Sequence, residues 1–229
     1  MNVYCCLVCG RYFRGKEYST EAFRHALEPN SSADKNEEQH NLFLGVSGIN
    51  FGKVFSIPDD EEITDQSLDI IKYNLNPLYT KEMIATIDTE KITGRSLEGV
   101  QFTAGNVGLN DLKNTSFANV IIQLLARVKP FRDYCLLDKT ETELGSKSPR
   151  ELASLKLSEL IRKIWNPVNF KGHVSPVEFI EAVSVASGGK FKCDIKSSEA
   201  KFGGQADPSQ FLGWCMSTLS PRKVYEKNF

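Results

Sequence analysis

The sequence predicts an α+β protein, a small zinc-binding, β-containing module followed by a mainly helical half. Three observations carry that expectation. Three of the six cysteines and two of the three histidines crowd the first 40 residues. Two short apolar stretches, LFLGV and KVFSI, follow within residues 42–58 around a glycine-containing turn, as a strand pair would. From Thr115 onward the apolar residues recur at helical spacing.

Composition narrows the function classes. The 229 residues are 41% hydrophobic and 25% charged, an ordinary balance for a chain that buries a core. Lys plus Arg is 28 and Asp plus Glu is 29, so a chain-wide nucleic-acid footprint is not expected. No apolar run approaches the roughly 18 residues needed to span a bilayer, and no membrane role is expected. MNVYCCLVCGRYF has no basic stretch ahead of its few apolar residues and makes a poor secretory signal. Three clustered and three scattered cysteines do not form a disulfide framework, which points to a reducing compartment with the cluster kept for metal.

Taken in order, residues 1–28 hold the cysteine cluster and His25, and the polar stretch PNSSADKNEEQHN reads as a loop. The acidic run Asp59–Glu62 reads as a solvated loop closing the strand pair. Leu68, Ile70 and Ile71 mark a short helix ended by Pro77, and Thr80 caps another that contains Met83 and Ile84. The mixed, glycine-containing residues 85–105 read as a linker. Phe117, Val120, Ile121, Leu124, Leu125 and Val128 form an apolar stripe on a buried helix stopped by Pro130. A second long helix is expected from Arg150 to Trp165, with Leu152, Leu155, Leu160, Ile161, Ile164 and Trp165 inward and Asn166-Pro167 ending it. Ser175-Pro176 and Asp207-Pro208 each read as an N-cap followed by proline at the first helical position. The third helix stops at Gly188-Gly189, and the fourth carries Phe211, Leu212, Trp214, Cys215 and Leu219.

Cys6-Leu7-Val8-Cys9 is a CxxC, whose two thiolates can reach one zinc ion, with Gly10 permitting the knuckle turn. Zinc wants four ligands, and His25 and His40 are the other candidates in that block. The gaps are wider than in a compact zinc finger. Free buried thiols with surface histidines would give the same pattern, and Cys5 is either an alternative to Cys6 or a packing residue.

YCCLVCGRYFRG, AFRHALEP, HNLFLGV and VFSIPDDEEI resemble the ubiquitin-protease-type zinc finger, in the version carried by splicing factors that look like ubiquitin-specific proteases and travel with the tri-snRNP. In the family this module begins several dozen residues earlier with further cysteines, and a histidine stands at the position of Glu21. Arg11 matches the position that holds the ubiquitin C-terminus in ubiquitin-binding relatives.

Residues 108–119, GLNDLKNTSFAN, resemble the box Gly-Leu-x-Asn-Leu-Gly-Asn-Thr-Cys-Tyr-x-Asn of ubiquitin-specific proteases. Ser116 stands where the nucleophilic cysteine belongs, and Asp111 where an asparagine would donate to the oxyanion. Both are degenerate catalytic positions. A helix N-terminus activates a cysteine by lowering its pKa, whereas a serine also needs a base. The plain reading of Ser116 is a helix N-cap. Gly204–Phe211, GQADPSQF, resembles the segment that packs beside the nucleophile helix, with Gln210 for a glutamate. The family's histidine box comes beyond this chain's end, and His173 does not match it. KIWNPVNFKGHVSP, residues 163–176, resembles a stretch of the splicing branch.

The resemblance implies the N-terminal part of an inactive papain-like protease domain. The expected domains are 1–62 zinc finger, truncated at its N-terminus, 63–105 linker, 106–220 protease-like part and 221–229 unmatched tail. It implies a nuclear, non-catalytic spliceosome component acting in pre-mRNA splicing, with Zn(2+) as cofactor and tri-snRNP proteins as partners. Such a chain is a truncated gene model, a splice form or a reduced protein. The alternatives are a cysteine-type deubiquitinating hydrolase, for which Cys135, Cys193 and Cys215 have no visible histidine partner, and a ubiquitin-tail binding module using Arg11. Direct RNA contact is not expected, because the basic and aromatic interleaving from Arg162 to Lys171 reads more simply as a helix end with a solvated face.

Overall fold

The structure, a computed structural model, describes residues 2–27, 39–137, 148–191 and 205–219. The polar stretch from residue 29, the segment around Cys193, Gly204 and the tail 221–229 lie wholly or mostly outside them. The chain is mixed helix and strand and divides into two compact units, Met1–Leu75 and Asn76–Phe229.

The first unit is an antiparallel sheet with two short α-helices among its described residues. Its strands are β1 (Val3–Cys6), β2 (Tyr12–Arg14), β3 (Leu42–Ser47), β4 (Val54–Ser56) and β5 (Glu61–Ile63), in the order β2-β1-β3-β4-β5. The expected pair at 42–58 is β3 and β4, in register Phe43 to Phe55. Part of the acidic run is a strand rather than a loop, because Glu61 and Glu62 pair with Ser56 and Phe55 while their side chains stay in solvent. Charged residues on such an edge discourage pairing with another chain. Helix α1 (Glu21–Leu27) packs Ala22 against Tyr4, Cys6, Phe43, Phe55 and Ile57, a small core. The short helix expected near Ile70 is α2 (Asp69–Leu75), which buries no residue fully.

The second unit holds the larger core. Thr80 caps α3 (Lys81–Thr86), its hydroxyl accepting from Met83 N. Then come β6 (Thr93–Arg95), β7 (Gln101–Thr103), β8 (Gly108–Leu109), α4 (Ser116–Leu125), α5 (Lys129–Leu137), α6 (Pro149–Trp165), β9 (His173–Val174), α7 (Val177–Ala186) and α8 (Pro208–Thr218). Strands β6 and β7 form a hairpin inside the stretch read as a linker, where glycine and polar residues masked the alternation. Helix α6 is central, burying Leu157, Leu160, Ile161 and Ile164 against α5 and α7. Its start is a full capping box, Ser148 with Glu151, and Asn166 ends it as expected. Leu152, by contrast, is exposed near its first turn.

Three expectations shift. Helix α4 buries Phe117, Ala118, Ile121, Ile122 and Leu125, while Val120 and Leu124 are 54% and 50% exposed. The inward face is turned by part of a helical step because α8 takes Phe117 edge-on through Phe211, at 5.4 Å. Pro130 does not end the apolar pattern but sits in the first turn of α5, where a missing N–H costs nothing. The cap of α7 is Pro176 rather than Ser175, with no side-chain bond.

Arg132 on α5 is 3% exposed yet charged. It grips Asp88 through two nitrogens at 2.7 and 3.0 Å, reaches Asp133 at 2.7 Å and lies 5.0 Å over the Trp165 ring. The Asp88 carboxyl, hydrogen-bonded first by Arg132 and then by Lys129, is held well below the usual carboxylate range.

Candidate functional site

The side chains of β1 alternate, so Tyr4 and Cys6 face the core and Val3 and Cys5 face away. That alternation separates Cys6 from Cys5. The chain turns back at Gly10, whose φ of 71° suits glycine and whose N–H donates to the Cys6 carbonyl at 2.9 Å. The knuckle leaves Cys9 exposed beside α1. His25 on α1 is buried, stacked on Phe13 at 4.6 Å and edge-on to Phe43. His40 leads into β3.

The ligand atoms of Cys6, Cys9, His25 and His40 all lie within 4.8 Å of one another. Cys6 Sγ is 3.7 Å from His40 Nδ1, Cys9 Sγ is 3.3 Å from His25 Nε2, and the two ring nitrogens are 3.0 Å apart. Tetrahedral zinc with ordinary bond lengths places sulfur and nitrogen about 3.6 Å apart and two nitrogens about 3.3 Å apart. The donor set therefore fits one zinc ion in type, number and spacing. Burial pushes the Cys6 thiol up, so a cation is what would favour its thiolate. Glu21 lies elsewhere, in an open cleft with Tyr12, Arg14, Ser19, Thr20 and Arg24. Arg11 is exposed directly after the knuckle, its carbonyl accepting from Cys6 N at 2.9 Å.

In the second unit Ser116 opens α4. The cap is Thr115, not Ser116, and Ser116 is the first helical residue. Thr115 is fully buried, donating its hydroxyl to Asp111 Oδ1 at 3.0 Å and accepting from Leu112 N at 3.0 Å. Asp111 is thus engaged in closing its own loop, in which Lys113 and Asn114 both take positive φ, 65° and 55°. Ser116 itself is exposed, and its Oγ accepts from Gln205 Nε2 at 2.9 Å. An amide N–H cannot remove the hydroxyl proton. Among the described residues no histidine or carboxylate is bonded to Ser116. His173 is exposed on β9, which runs parallel to β8 with Gly108 opposite His173. Cys135 and Cys215 are buried, and burial pushes the Cys215 thiol up to about 12.

The second box folds as a support. Asp207 caps α8 by accepting from Ser209 N at 2.8 Å, and Phe211 is fully buried. This places Gln205 on Ser116, while Gln210 is exposed.

The WNPVNF stretch is scaffold as well. Trp165 donates its indole N–H to Ala126 O at 2.8 Å and closely covers Gly105, where a Cβ would come within 2.5 Å of the ring. Asn166 Oδ1 accepts from Val168 N, Asn169 donates to Lys163 O, and Phe170 O accepts from Leu97 N. The Trp165 ring is therefore occupied in packing. The sequence reading missed Gln205 as a partner of Ser116, Thr115 as the cap, and two close-approach glycines, Gly105 under Trp165 and Gly94 against the Pro167 carbonyl. The glycines were a usable signal, since both interrupt otherwise side-chain-bearing stretches.

The profile of the family described as Ubiquitin carboxyl-terminal hydrolase matches residues 107–227, and that described as Zn-finger in ubiquitin-hydrolases and other protein matches residues 1–68. The chain is 34% identical over 222 residues to human Ubiquitin carboxyl-terminal hydrolase 39, covering 96% of this chain and 35% of that protein. It is 35% identical over 219 residues to Probable mRNA-splicing protein ubp10 of Schizosaccharomyces pombe, covering 96% and 38%. It is 27% identical over 192 residues to Pre-mRNA-splicing factor SAD1 of Saccharomyces cerevisiae, covering 82% and 38%. The chain thus spans little more than a third of these relatives. Among solved structures, one described as an essential yeast splicing factor superposes with a TM-score of 0.73 at 24% identity, over 99% of this chain and 50% of that one. That likeness is one of fold.

Proposed function

The chain belongs to the ubiquitin carboxyl-terminal hydrolase family, and from that premise we propose that it is a non-catalytic member acting in pre-mRNA splicing in the nucleus. It works as a spliceosome component that holds tri-snRNP proteins together by contact and breaks no bond. The observation that carries this reading is Ser116, a neutral alcohol at the helix N-terminus whose polar partner is the Gln205 amide. A serine nucleophile needs a base to take its proton, and none of the described residues supplies one there. The two curated relatives named as splicing proteins support the biological setting.

The same reading assigns Cys6, Cys9, His25 and His40 to one zinc ion, with a structural role. When bound, the ion ties β1, the knuckle, α1 and the entry to β3. The protein's own contribution is orientation, with Phe13 and Phe43 fixing the His25 ring and the β1 alternation aiming Cys6 inward.

Two measurements test the proposal. Tagged chain added to nuclear extract is expected to co-sediment with tri-snRNP proteins, and recovery in the unassembled fractions alone would count against it. The purified chain is expected to release no fluorophore from a ubiquitin C-terminal conjugate. Ser116→Cys is expected to stay equally inert, because a thiol there still faces an amide. Turnover by the parent chain that Ser116→Ala abolishes would overturn the non-catalytic reading.

Arg11 remains a candidate for ubiquitin-tail contact by resemblance alone. A titration with ubiquitin is expected to give the same flat response for the parent and for Arg11→Ala. Saturable binding lost in the variant would assign the module to ubiquitin recognition.

A further inference from the structure

The β6–β7 hairpin carries two of the more exposed apolar side chains of the second unit at its tip. Leu97 is 79% exposed and Val100 is 59% exposed. The tip is not loose. Ser96 N donates to Val100 O at 2.9 Å, Val100 N donates to Ser96 Oγ at 3.2 Å, and Gly99 makes the turn at φ 82°. The hairpin is also fastened to the loop after α6. Leu97 N donates to Phe170 O at 3.0 Å. Gly94 meets the Pro167 carbonyl so closely that a Cβ would come within 2.0 Å of it. This holds the hairpin against the segment 167–171, in which Val168 is 37% exposed.

Charge stands in the same two segments. Arg95 on β6 and Lys171 next to Phe170 are both exposed, and no ion pair among the described residues involves either. One acid, Glu98, sits at the turn. Two cations against one acid around an aliphatic centre complement a ligand with aliphatic side chains and net negative charge. The centre has no exposed aromatic ring on which a base could stack, and two cations fall short of the cluster of about four to eight that marks an anionic lipid surface. Three aliphatic side chains make far less than the roughly 800 Å² per partner of a standard protein interface, so the fit is to a short segment. Because the tip is already ordered, little conformational entropy is lost on binding.

We propose that the tip of the β6–β7 hairpin, together with residues 167–171, is a docking site for a short acidic segment of a partner protein that carries leucine- or isoleucine-type side chains. The inference rests on the reading that the chain acts through protein contacts, and names the surface and the chemistry of one such contact.

The test uses the full chain and display libraries of roughly 12-residue peptides, a length that matches a short-segment rather than a domain-sized footprint. One library combines Asp and Glu with Leu and Ile; its twin substitutes Lys and Arg for the acids. Enrichment from the acidic library alone is expected. Binding of an enriched peptide, followed by fluorescence anisotropy, is expected to weaken about tenfold or more in Leu97→Asp/Val100→Asp and again in Arg95→Glu/Lys171→Glu, and to fall with salt. Both variants alter exposed side chains, and an unchanged thermal transition verifies the fold. The proposal is overturned by no enrichment, by enrichment from the basic library, or by affinities that both variants leave unchanged. It is equally overturned if phosphatidylserine vesicles or poly-uridine RNA bind to this face and the variants abolish that binding. Co-sedimentation with tri-snRNP proteins retained at parental level by both variants would reject this surface while leaving the proposed function standing.

Discussion

Replacing Cys6 with Ser, or stripping metal with a chelator, is expected to unfold the Met1–Leu75 unit. The apolar core of that unit is small, and Cys6 is itself one of its six buried members. A core of that size is marginal by itself. Structural zinc in small fingers is worth about 10–16 kcal/mol, comparable to or larger than the roughly 5–15 kcal/mol total stability of a typical domain. Both tryptophans, Trp165 and Trp214, lie in the other unit, so their fluorescence is blind to this loss. Amide exchange at β1 and β3 is the appropriate measurement, with protection expected to disappear. Cobalt added in place of zinc is expected to give the visible absorption of a tetrahedral sulfur–nitrogen site, at one ion per chain. Cys5→Ser is the control, because β1 turns Cys5 to the opposite face from Cys6 and outside the set of four donors, and its loss should change neither protection nor cobalt binding. A Cys6→Ser protein that keeps its protection, or a Cys5→Ser protein that loses it equally, would refute the assignment.

Arg132→Ala is expected to cost the second unit about 1–3 kcal/mol, more than an exposed pair and less than a fully buried one, because Arg132 is 3% exposed while the carboxylates it leaves, Asp88 and Asp133, are 37% and 25% exposed. The substitution leaves Asp88 with Lys129 alone, removes the cation paired with Asp133 and uncovers one face of Trp165. Denaturant unfolding measures the loss, and Trp165 emission is expected to shift with it. A change below about 1 kcal/mol, the usual value of an exposed pair, would show that the clamp is solvated. The pairing also sets a pH dependence. A carboxyl whose pKa is lower folded than unfolded stabilises the fold above its unfolded value and loses that effect as pH falls. The contribution of Asp88 should therefore be complete at neutral pH and decline below about pH 4, the usual carboxylate value. Arg132→Met is expected to flatten that acid limb, since Asp88 then has one cation fewer.

Local signals carried much of the architecture. Asp207-Pro208 and Thr80 predict helix starts because caps satisfy N–H groups within three residues, and both act as caps here. The strand pair at 42–58 is legible because alternation and a glycine turn are also local. Longer-range questions were not legible in the same way. The stripe on α4 includes Val120 and Leu124 as readily as Ile121 and Leu125, and only the position of α8 decides which are buried. The β6–β7 hairpin escaped notice because its register depends on Gly94 fitting under Pro167, across 73 residues of chain.

The candidate site divides along the same line. Sequence alone determined the chemistry on offer: three thiols and two imidazoles in the first unit, and an alcohol where a thiol would be a nucleophile in the second. Spacing named Cys6, Cys9, His25 and His40, but it left Cys5 level with Cys6. The tertiary structure separated them, because the pleat of β1 sends successive side chains to opposite faces and one face is closed by α1. It also decided what meets Ser116. Gln205 lies 89 residues away, and no local pattern can place an amide against a hydroxyl at that distance. Residue type determines which protons and electron pairs a chain possesses; packing determines which of them touch.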